Sequence, residues 1–162
     1  LEKIFEHCPT NIVTHCEDPK RLVENERLYS EKYGDKLEAA HHAVIRDEEC
    51  CYLSSSLAVG LAKRFGSNLH VLHLSTAREM ELFTTDPIEN KHITAEGCVH
   101  HLTFSDKDYE ELGNFIVCNP SIKNEPKEYL QEYLDIFDFF LQKYEEHDRL
   151  RKYQFYLLLR LQ

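Results

Sequence analysis

Short apolar segments alternate with longer amphipathic segments along most of the chain. The segment NIVTHCE (11–17) is rich in β-branched residues and predicts a buried strand. NLHVLHLST (68–76) predicts a second strand, KHITAEGCVHHLTF (91–104) a third, and NFIVCNP (114–120) supplies a fourth apolar run. Because helical patterns lie between these runs, the order predicts parallel βαβ units. Either an α/β barrel or an open doubly wound sheet would give this pattern.

The helical segments carry clear start and stop signals. Asp18 and Pro19 are a plausible N-cap and first turn for a charged helix that ends at Gly34. Residues 42–65 have apolar positions at three- and four-residue spacings and predict one amphipathic helix ending at Gly66, with a short turn allowed at its start. Shorter helical stretches are predicted at AREMELF and DKDYEELG.

The composition changes at about residue 124. No glycine follows Gly113, and the apolar residues Leu130, Leu134, Phe137, Leu141 and Tyr144 recur at helical spacing. We therefore predict an α/β domain over residues 1–123 and a helical C-terminal segment over residues 124–162.

Charge and cysteine content narrow the functional classes. A formal net charge of −10 disfavours binding to nucleic acid or to an anionic membrane, so a small molecule or a protein is the expected partner. The six cysteines form no CxxC pair, which favours reduced thiols in the cytoplasm. With no apolar leader and no apolar run long enough to span a bilayer, the sequence predicts a soluble cytoplasmic protein.

Polar residues follow the predicted strands, where the functional sites of parallel α/β folds are built. These residues are His15, His73, Glu96 and Asn119. Imidazole suits zinc, and a bound metal can activate water. Glu17 and Asp18 could orient a ligand histidine, and Ser75 and Thr76 could cap the next helix. A single histidine at a strand end is more often structural, so each signal is weak alone.

Other polar residues in these segments favour ordinary roles. If His100 and His101 are neighbours on a strand, only one of them can face a given site. Cys16 and Cys98 are expected to be small buried filler. Glu48 and Glu49, with Arg46, are expected to form a solvated helix face.

Five motifs together resemble the central part of a bacterial dihydroorotase, a cyclic amidohydrolase of the amidohydrolase superfamily. They are THCEDP, HHAVIRDEECCYLSSSLAVGLAKRFG, LHVLHLST, ITAEGCVHHLTF and IVCNPSIK, and they cover about residues 4–123. Hydantoinases and allantoinases are related enzyme families. Only the order of all five motifs distinguishes this chain from them.

The resemblance implies a partial (β/α)8 TIM barrel with one or two zinc ions at its C-terminal mouth. His15 and His73 match metal ligands, and Asn119 matches a residue that contacts the substrate. The implied reaction is the reversible conversion of N-carbamoyl-L-aspartate to L-dihydroorotate in pyrimidine biosynthesis, with an aspartate moving the proton.

The chain also departs from the family pattern. The family's opening HxH strand and its catalytic DHAPH segment are missing, and no bridging lysine or aspartate strand precedes Leu1. The catalytic residue is therefore unknown. Asp135, Asp138 and Asp148 lack the flanking pattern and are not assigned this role. Lys123 stands where many family members have arginine, which keeps the charge but loses the planar fork.

These departures leave three hypotheses. The chain is an internal or altered fragment of a metal-dependent dihydroorotase, with two of the metal ligands, whether or not the isolated chain is active. Alternatively, it is a non-catalytic half-barrel that binds a partner or assembles as a homo-oligomer, with its C-terminal helix covering apolar surface. A third interpretation has structural histidines in an open flavodoxin-like sheet.

Overall fold

The computed structural model describes residues 1–84, 86 and 90–123. In these residues the fold is α/β, with three parallel strands: β1 (Ile12–Thr14), β2 (Leu69–Leu74) and β3 (Ile93–Gly97). The strands pair in the order β1-β2-β3. The predicted parallel βαβ arrangement is therefore confirmed. The helical segment predicted for residues 124–162 lies outside the described residues.

Helices connect these strands and follow them. The α-helices of the described residues are α1 (Glu2–His7), α2 (Pro19–Tyr33), α3 (His41–Ile45), α4 (Glu48–Phe65), α5 (Ala77–Met80), α6 (Val99–Thr103) and α7 (Tyr109–Leu112). Short 3₁₀ turns occupy Gly34–Lys36, Asp106–Asp108 and Gly113–Ile116.

Helix α2 begins and ends where the sequence indicates. The Asp18 side chain accepts a hydrogen bond from the Arg21 amide at 2.8 Å, which satisfies one of the unpaired N–H groups of the first turn. Pro19 occupies the first helical position, where its missing N–H costs nothing. Gly34 follows the last helical residue with a φ of 52°, a value that favours glycine.

The helix predicted over residues 42–65 is confirmed only for its larger part, α4, because residues before Asp47 form a separate helix, α3. Asp47 adopts an extended backbone between α3 and α4, and its carboxylate accepts a hydrogen bond from the Cys50 amide at 2.9 Å. An N-cap residue must leave helical geometry, so this cap interrupts the apolar periodicity that predicted one helix. The end at Gly66 is confirmed, with a left-handed φ of 68°.

Three strand predictions need correction. β1 exists but is not buried, since Val13 on its exposed face is 55% exposed. The run 114–120 is not a strand, because Gly113–Ile116 forms a 3₁₀ turn. His100 and His101 lie on helix α6 instead of continuing β3, because the chain leaves the sheet at Cys98.

The core lies between α4 and the sheet. Phe5 from α1 and the strand residues Leu69 and Val71 are almost fully buried there. Ala58, Val59 and Ala62 of α4 pack in the same cluster; the small alanines allow the helix to approach the strands closely. This packing fixes the carboxyl ends of β1 and β2 next to each other.

All six cysteines lie in the described part of the chain, and none of them forms a disulfide there. Cys16 is buried filler, as expected, whereas Cys98 is only partly buried.

In the same residues, every helix is too short or too polar to cross a bilayer.

Candidate metal centre

Two histidines meet at the carboxyl ends of β1 and β2. His15 directly follows β1, and His73 is the penultimate residue of β2. The Nδ1 atom of His15 lies 2.5 Å from the Nε2 atom of His73, and the ring centroids are 4.8 Å apart. The parallel pairing of Ile12 with Leu69 sets this meeting, because it brings the two strand ends to the same edge.

The backbone of β2 is irregular at His73. The register between β2 and β3 shifts between Val71 and Leu74, and His73 has a φ of 41°. Left-handed backbone is unfavourable for a residue with a Cβ atom, and such strain is concentrated at functional sites. The irregular backbone of β2 thus includes the residue whose ring meets His15.

The donor chemistry of this pair fits a borderline divalent cation. The two ring nitrogens lie 2.5 Å apart, and imidazole nitrogens are donors that zinc and similar cations accept. The other ring nitrogen of His73, Nδ1, faces away from this pairing and is buried without a hydrogen-bond partner, so no hydrogen bond at Nδ1 orients the ring. Burial lowers the pKa of His73, and the nearby His15 and His100 lower it further. A neutral imidazole is the form that ligates zinc.

Among the described residues, no hydrogen bond joins Glu17 or Asp18 to His15. Asp18 caps α2, and Glu17 accepts a hydrogen bond from Nη1 of Arg46 at 2.5 Å. The Arg46 and Glu17 side chains are only 16% and 15% exposed. The prediction that Arg46 belongs to a solvated helix face is therefore wrong. Glu48 is exposed, as predicted, whereas Glu49 is partly buried and pairs with Arg78. The Glu17–Arg46 pair ties the segment after β1 to the end of α3.

A second polar network is formed by residues that follow β2 and by residues packed against them. Lys123 is 7% exposed and donates hydrogen bonds to Ser75 Oγ at 3.0 Å and to the Ser121 carbonyl at 3.1 Å. Thr76 caps α5, as predicted, by accepting a hydrogen bond from the Glu79 amide. The Glu79 carboxylate is buried and accepts hydrogen bonds from Ser55 and Thr76. Burial raises the pKa of Glu79, although these hydrogen bonds and the charge of Lys123 oppose the shift.

Asn119 is exposed and contacts a histidine that the sequence did not indicate. Its Oδ1 atom lies 3.1 Å from Nε2 of His42, and the same nitrogen lies 2.9 Å from the Cys118 carbonyl. Within residues 1–84, 86 and 90–123, no hydrogen bond links Asn119 to His15 or His73. Glu96 lies 3.4 Å from Nε2 of His70.

Sequence reasoning missed several of these partners. Arg46 and His42 lie in or beside α3, and each meets a residue from a distant segment of the chain. The sequence gives no local signal for such long-range pairs. The adjacent histidines His100 and His101 are predicted on a strand, but they lie on α6, where their ring centroids are 4.2 Å apart.

Comparison with known proteins shows what the chain resembles. No family model matches it. It is 30% identical to an allantoinase of Streptomyces avermitilis over 69% of its own length and 24% of the relative. It is 31% identical to a dihydroorotase of Methanosarcina mazei over 67% of its length, again 24% of the relative. The chain thus spans about a quarter of the length of the curated relatives it matches.

Solved structures show the same relationship at the level of the fold. The L-hydantoinase (dihydropyrimidinase) of Arthrobacter aurescens superposes with a TM-score of 0.67 at 21% identity, covering 76% of this chain and 28% of that enzyme. The dihydropyrimidinase of Brevibacillus agri gives 0.64 at 17% identity, covering 74% and 26%. These likenesses favour the fold of the corresponding part of a hydantoinase over an open flavodoxin-like sheet. A closed barrel stays a prediction.

Proposed function

We propose that this chain, which is related to the dihydroorotases, allantoinases and hydantoinases, is part of a metal-dependent hydrolase of cyclic amides. The observation that carries the proposal is the convergence of His15 Nδ1 and His73 Nε2 to 2.5 Å at the ends of two parallel strands. The first reaction to test is the reversible conversion of L-dihydroorotate and N-carbamoyl-L-aspartate. The sibling reactions on allantoin and hydantoins are the alternatives.

The two histidines have the properties of metal ligands. His15 is exposed, whereas burial lowers the pKa of the half-buried His73 and so favours the neutral form that ligates a metal. A zinc ion held there would supply Lewis acidity towards an amide carbonyl. Two protein ligands are fewer than the three of an ordinary catalytic zinc site, so the described residues supply part of the donor set.

The remaining roles follow from position. Asn119 is exposed at the end of the IVCN segment, where its amide can bind a substrate once His42 releases it. Lys123 holds that segment against Ser75, and thereby fixes it relative to the strand that carries His73. No residue is assigned as the catalytic acid or base. We expect this activity in the cytoplasm.

Metal binding tests the proposal directly. Zinc titration of the full chain, followed by calorimetry, should show binding that His15→Ala and His73→Ala each weaken. His7→Ala is the matched control, because the His7 side chain is 70% exposed and lies on α1. Equal zinc binding by all four proteins would overturn the assignment of His15 and His73.

Activity assays then separate the candidate substrates. Dihydroorotate, allantoin and a substituted hydantoin are each incubated with the zinc-loaded chain, and ring opening is followed by chromatography. Turnover of one substrate that is lost in His73→Ala would identify the reaction. Turnover retained in both histidine variants would contradict a role for this pair in catalysis.

A non-catalytic assembly role is the second candidate, and one surface favours it. An apolar groove of about 250 Å³ lies beside β1, lined by Leu1, Ile4, Phe5, Ile12, Val13, Thr14, Ser54, Leu57 and Ala58. Ile4, Val13 and Leu57 on this groove are each 55% exposed. Exposed apolar surface beside a strand favours association with a second copy.

Light scattering distinguishes this role from catalysis. The assembly proposal predicts an oligomer that dissociates in Val13→Asp while zinc binding is retained. A wild-type monomer across the accessible concentration range would contradict assembly and leave the metal proposal standing.

A further inference from the structure

A second set of metal-binding atoms lies at the end of β3. Cys98 is the N-cap residue of α6, and His100 and His101 lie in the first turn of that helix. One potential ligand atom from each of these three residues lies within 4.8 Å of the others. None of these three residues is His15 or His73, although His100 lies near enough to His73 to lower its pKa, and the set contains a sulfur that the histidine pair lacks.

The hydrogen bonds of His101 determine which of its nitrogens is available. Nε2 lies 2.8 Å from the carbonyl oxygen of Pro120. A carbonyl only accepts hydrogen bonds, so Nε2 must carry the proton, and Nδ1 of the neutral ring presents a bare lone pair. His101 is 8% exposed, and its Nδ1 atom is buried without any hydrogen-bond partner.

An unpartnered lone pair in a buried site is unfavourable unless something binds it. Metal-bound histidines commonly donate their other ring N–H to a backbone carbonyl, which fixes the tautomer and the ring orientation. Pro120 provides that carbonyl for His101. His101 thus has one ring nitrogen held by a backbone carbonyl, as metal-bound histidines commonly do, and a second that is buried without a partner.

Cys118 does not belong to this set. Its sulfur lies 3.9 Å from Nε2 of His101 and 3.2 Å from the Pro120 carbonyl, so it is on the protonated side of the ring. The thiol of Cys98 and the imidazoles of His100 and His101 are therefore the three protein donors. One thiolate and two imidazoles suit zinc, with a fourth position left for water.

We propose that Cys98, His100 and His101 bind one Zn²⁺ ion, independently of the His15–His73 pair. Binding forms a bond from the metal to each donor, and the thiol proton of Cys98 passes to solvent as the thiolate forms. The site links the end of β3 and the start of α6 to the segment around Pro120 through His101.

Cobalt(II) is the probe that identifies the sulfur. A cobalt ion bound to a thiolate gives an intense near-ultraviolet charge-transfer band, which a site made of histidines alone does not give. The full-length chain, freed of metal and reduced, should develop this band with one equivalent of cobalt, and zinc should abolish it by displacement.

The variants assign the band to Cys98. Cys98→Ser should lose the band and bind cobalt roughly tenfold or more weakly, since a ligand matters at least as much as the groups that support it. His101→Gln should weaken binding as well. The double variant His15→Ala/His73→Ala should keep the band. The band therefore tests this site alone, and its result does not depend on whether the proposed function is correct.

Cys8→Ser is the matched thiol control, because Cys8 follows α1 and contacts Thr10. It should keep the band and the wild-type affinity. Circular dichroism of the Cys98→Ser variant, a one-atom change, checks that the fold is retained. A band that persists in folded Cys98→Ser, or its absence from the wild-type chain, would overturn the proposal.

Discussion

Arg46 donates a hydrogen bond to Glu17 at 2.5 Å, across 29 positions of the sequence. Both side chains are mostly buried, and the second oxygen of Glu17, Oε1, is buried without a partner. Glu17 therefore depends on Arg46 for the compensation of its charge. This pair holds the residues after β1, which include His15, against the end of α3.

Removal of Arg46 should destabilise the fold through the charge left behind. We expect Arg46→Met to lower the free energy of unfolding by about 3 kcal/mol, because a buried carboxylate without its partner is costly. Adding Glu17→Gln should recover part of this loss. Urea unfolding of both single variants and the double variant measures the coupling, and additive effects would show that the pair does not interact energetically.

Asp47 has two separable roles that its variants should distinguish. It caps α4, and it pairs with Arg21 through Nε at 2.9 Å and Nη2 at 2.6 Å. Asp47→Ala should lose both interactions, whereas Asp47→Asn keeps a capping oxygen. We expect the alanine variant to be less stable than the asparagine variant by about 1 kcal/mol, the usual contribution of an N-cap. Equal unfolding midpoints would contradict the capping role.

Acid should weaken the contribution of Asp47. Burial raises its pKa, but the hydrogen bonds from Arg21 and the Cys50 amide outweigh burial, so the pKa lies below the ordinary value of 3.8. A depressed folded-state pKa stabilises the protein above 3.8, and this stability is lost as the pH falls through the folded pKa. Asp47→Asn should flatten that acid limb of the stability curve.

Glu79 should have the opposite pH dependence. Its pKa is raised above the ordinary 4.5, chiefly by burial, so the folded protein holds this proton more tightly than the unfolded chain does. Its contribution is greatest below 4.5 and is lost as the pH rises through the folded pKa. The stability of the wild-type chain relative to Glu79→Gln should therefore fall as the pH rises. The exposed Glu81→Gln variant is the control, and parallel curves for Glu79→Gln and the wild type would refute the prediction.

The positive φ of His73 predicts that the backbone is strained at this residue. Because His73 has a φ of 41°, the His73→Gly variant should be more stable than the His73→Ala variant by about 1 kcal/mol. Both His73→Gly and His73→Ala remove the imidazole, so their difference isolates the backbone. His70 has no positive φ and lies on the same strand, so His70→Gly should be less stable than His70→Ala. The same order at both positions would contradict the strain.

Local features of the fold were readable from the sequence because they depend on neighbouring residues. Asp18, Pro19 and Gly34 bound α2 as predicted, and Gly66 ends the helix before β2. The strands containing Ile12 and Leu69 were found from their apolar runs, and the resemblance to cyclic amidohydrolases came from ordered motifs. Each of these signals extends over only a few positions, so it can be recognised without knowledge of how the rest of the chain folds.

The tertiary structure decided the pairs that lie far apart in the sequence. Periodicity alone joined α3 to α4, whereas the cap at Asp47 and its ion pair with Arg21 separate them. The same applies to Arg46 with Glu17, and to His101 with the carbonyl of Pro120. Such contacts depend on how helices pack on the sheet, which sets the direction of each side chain. The sequence by itself determined which residues could carry the chemistry; packing decided which of them meet.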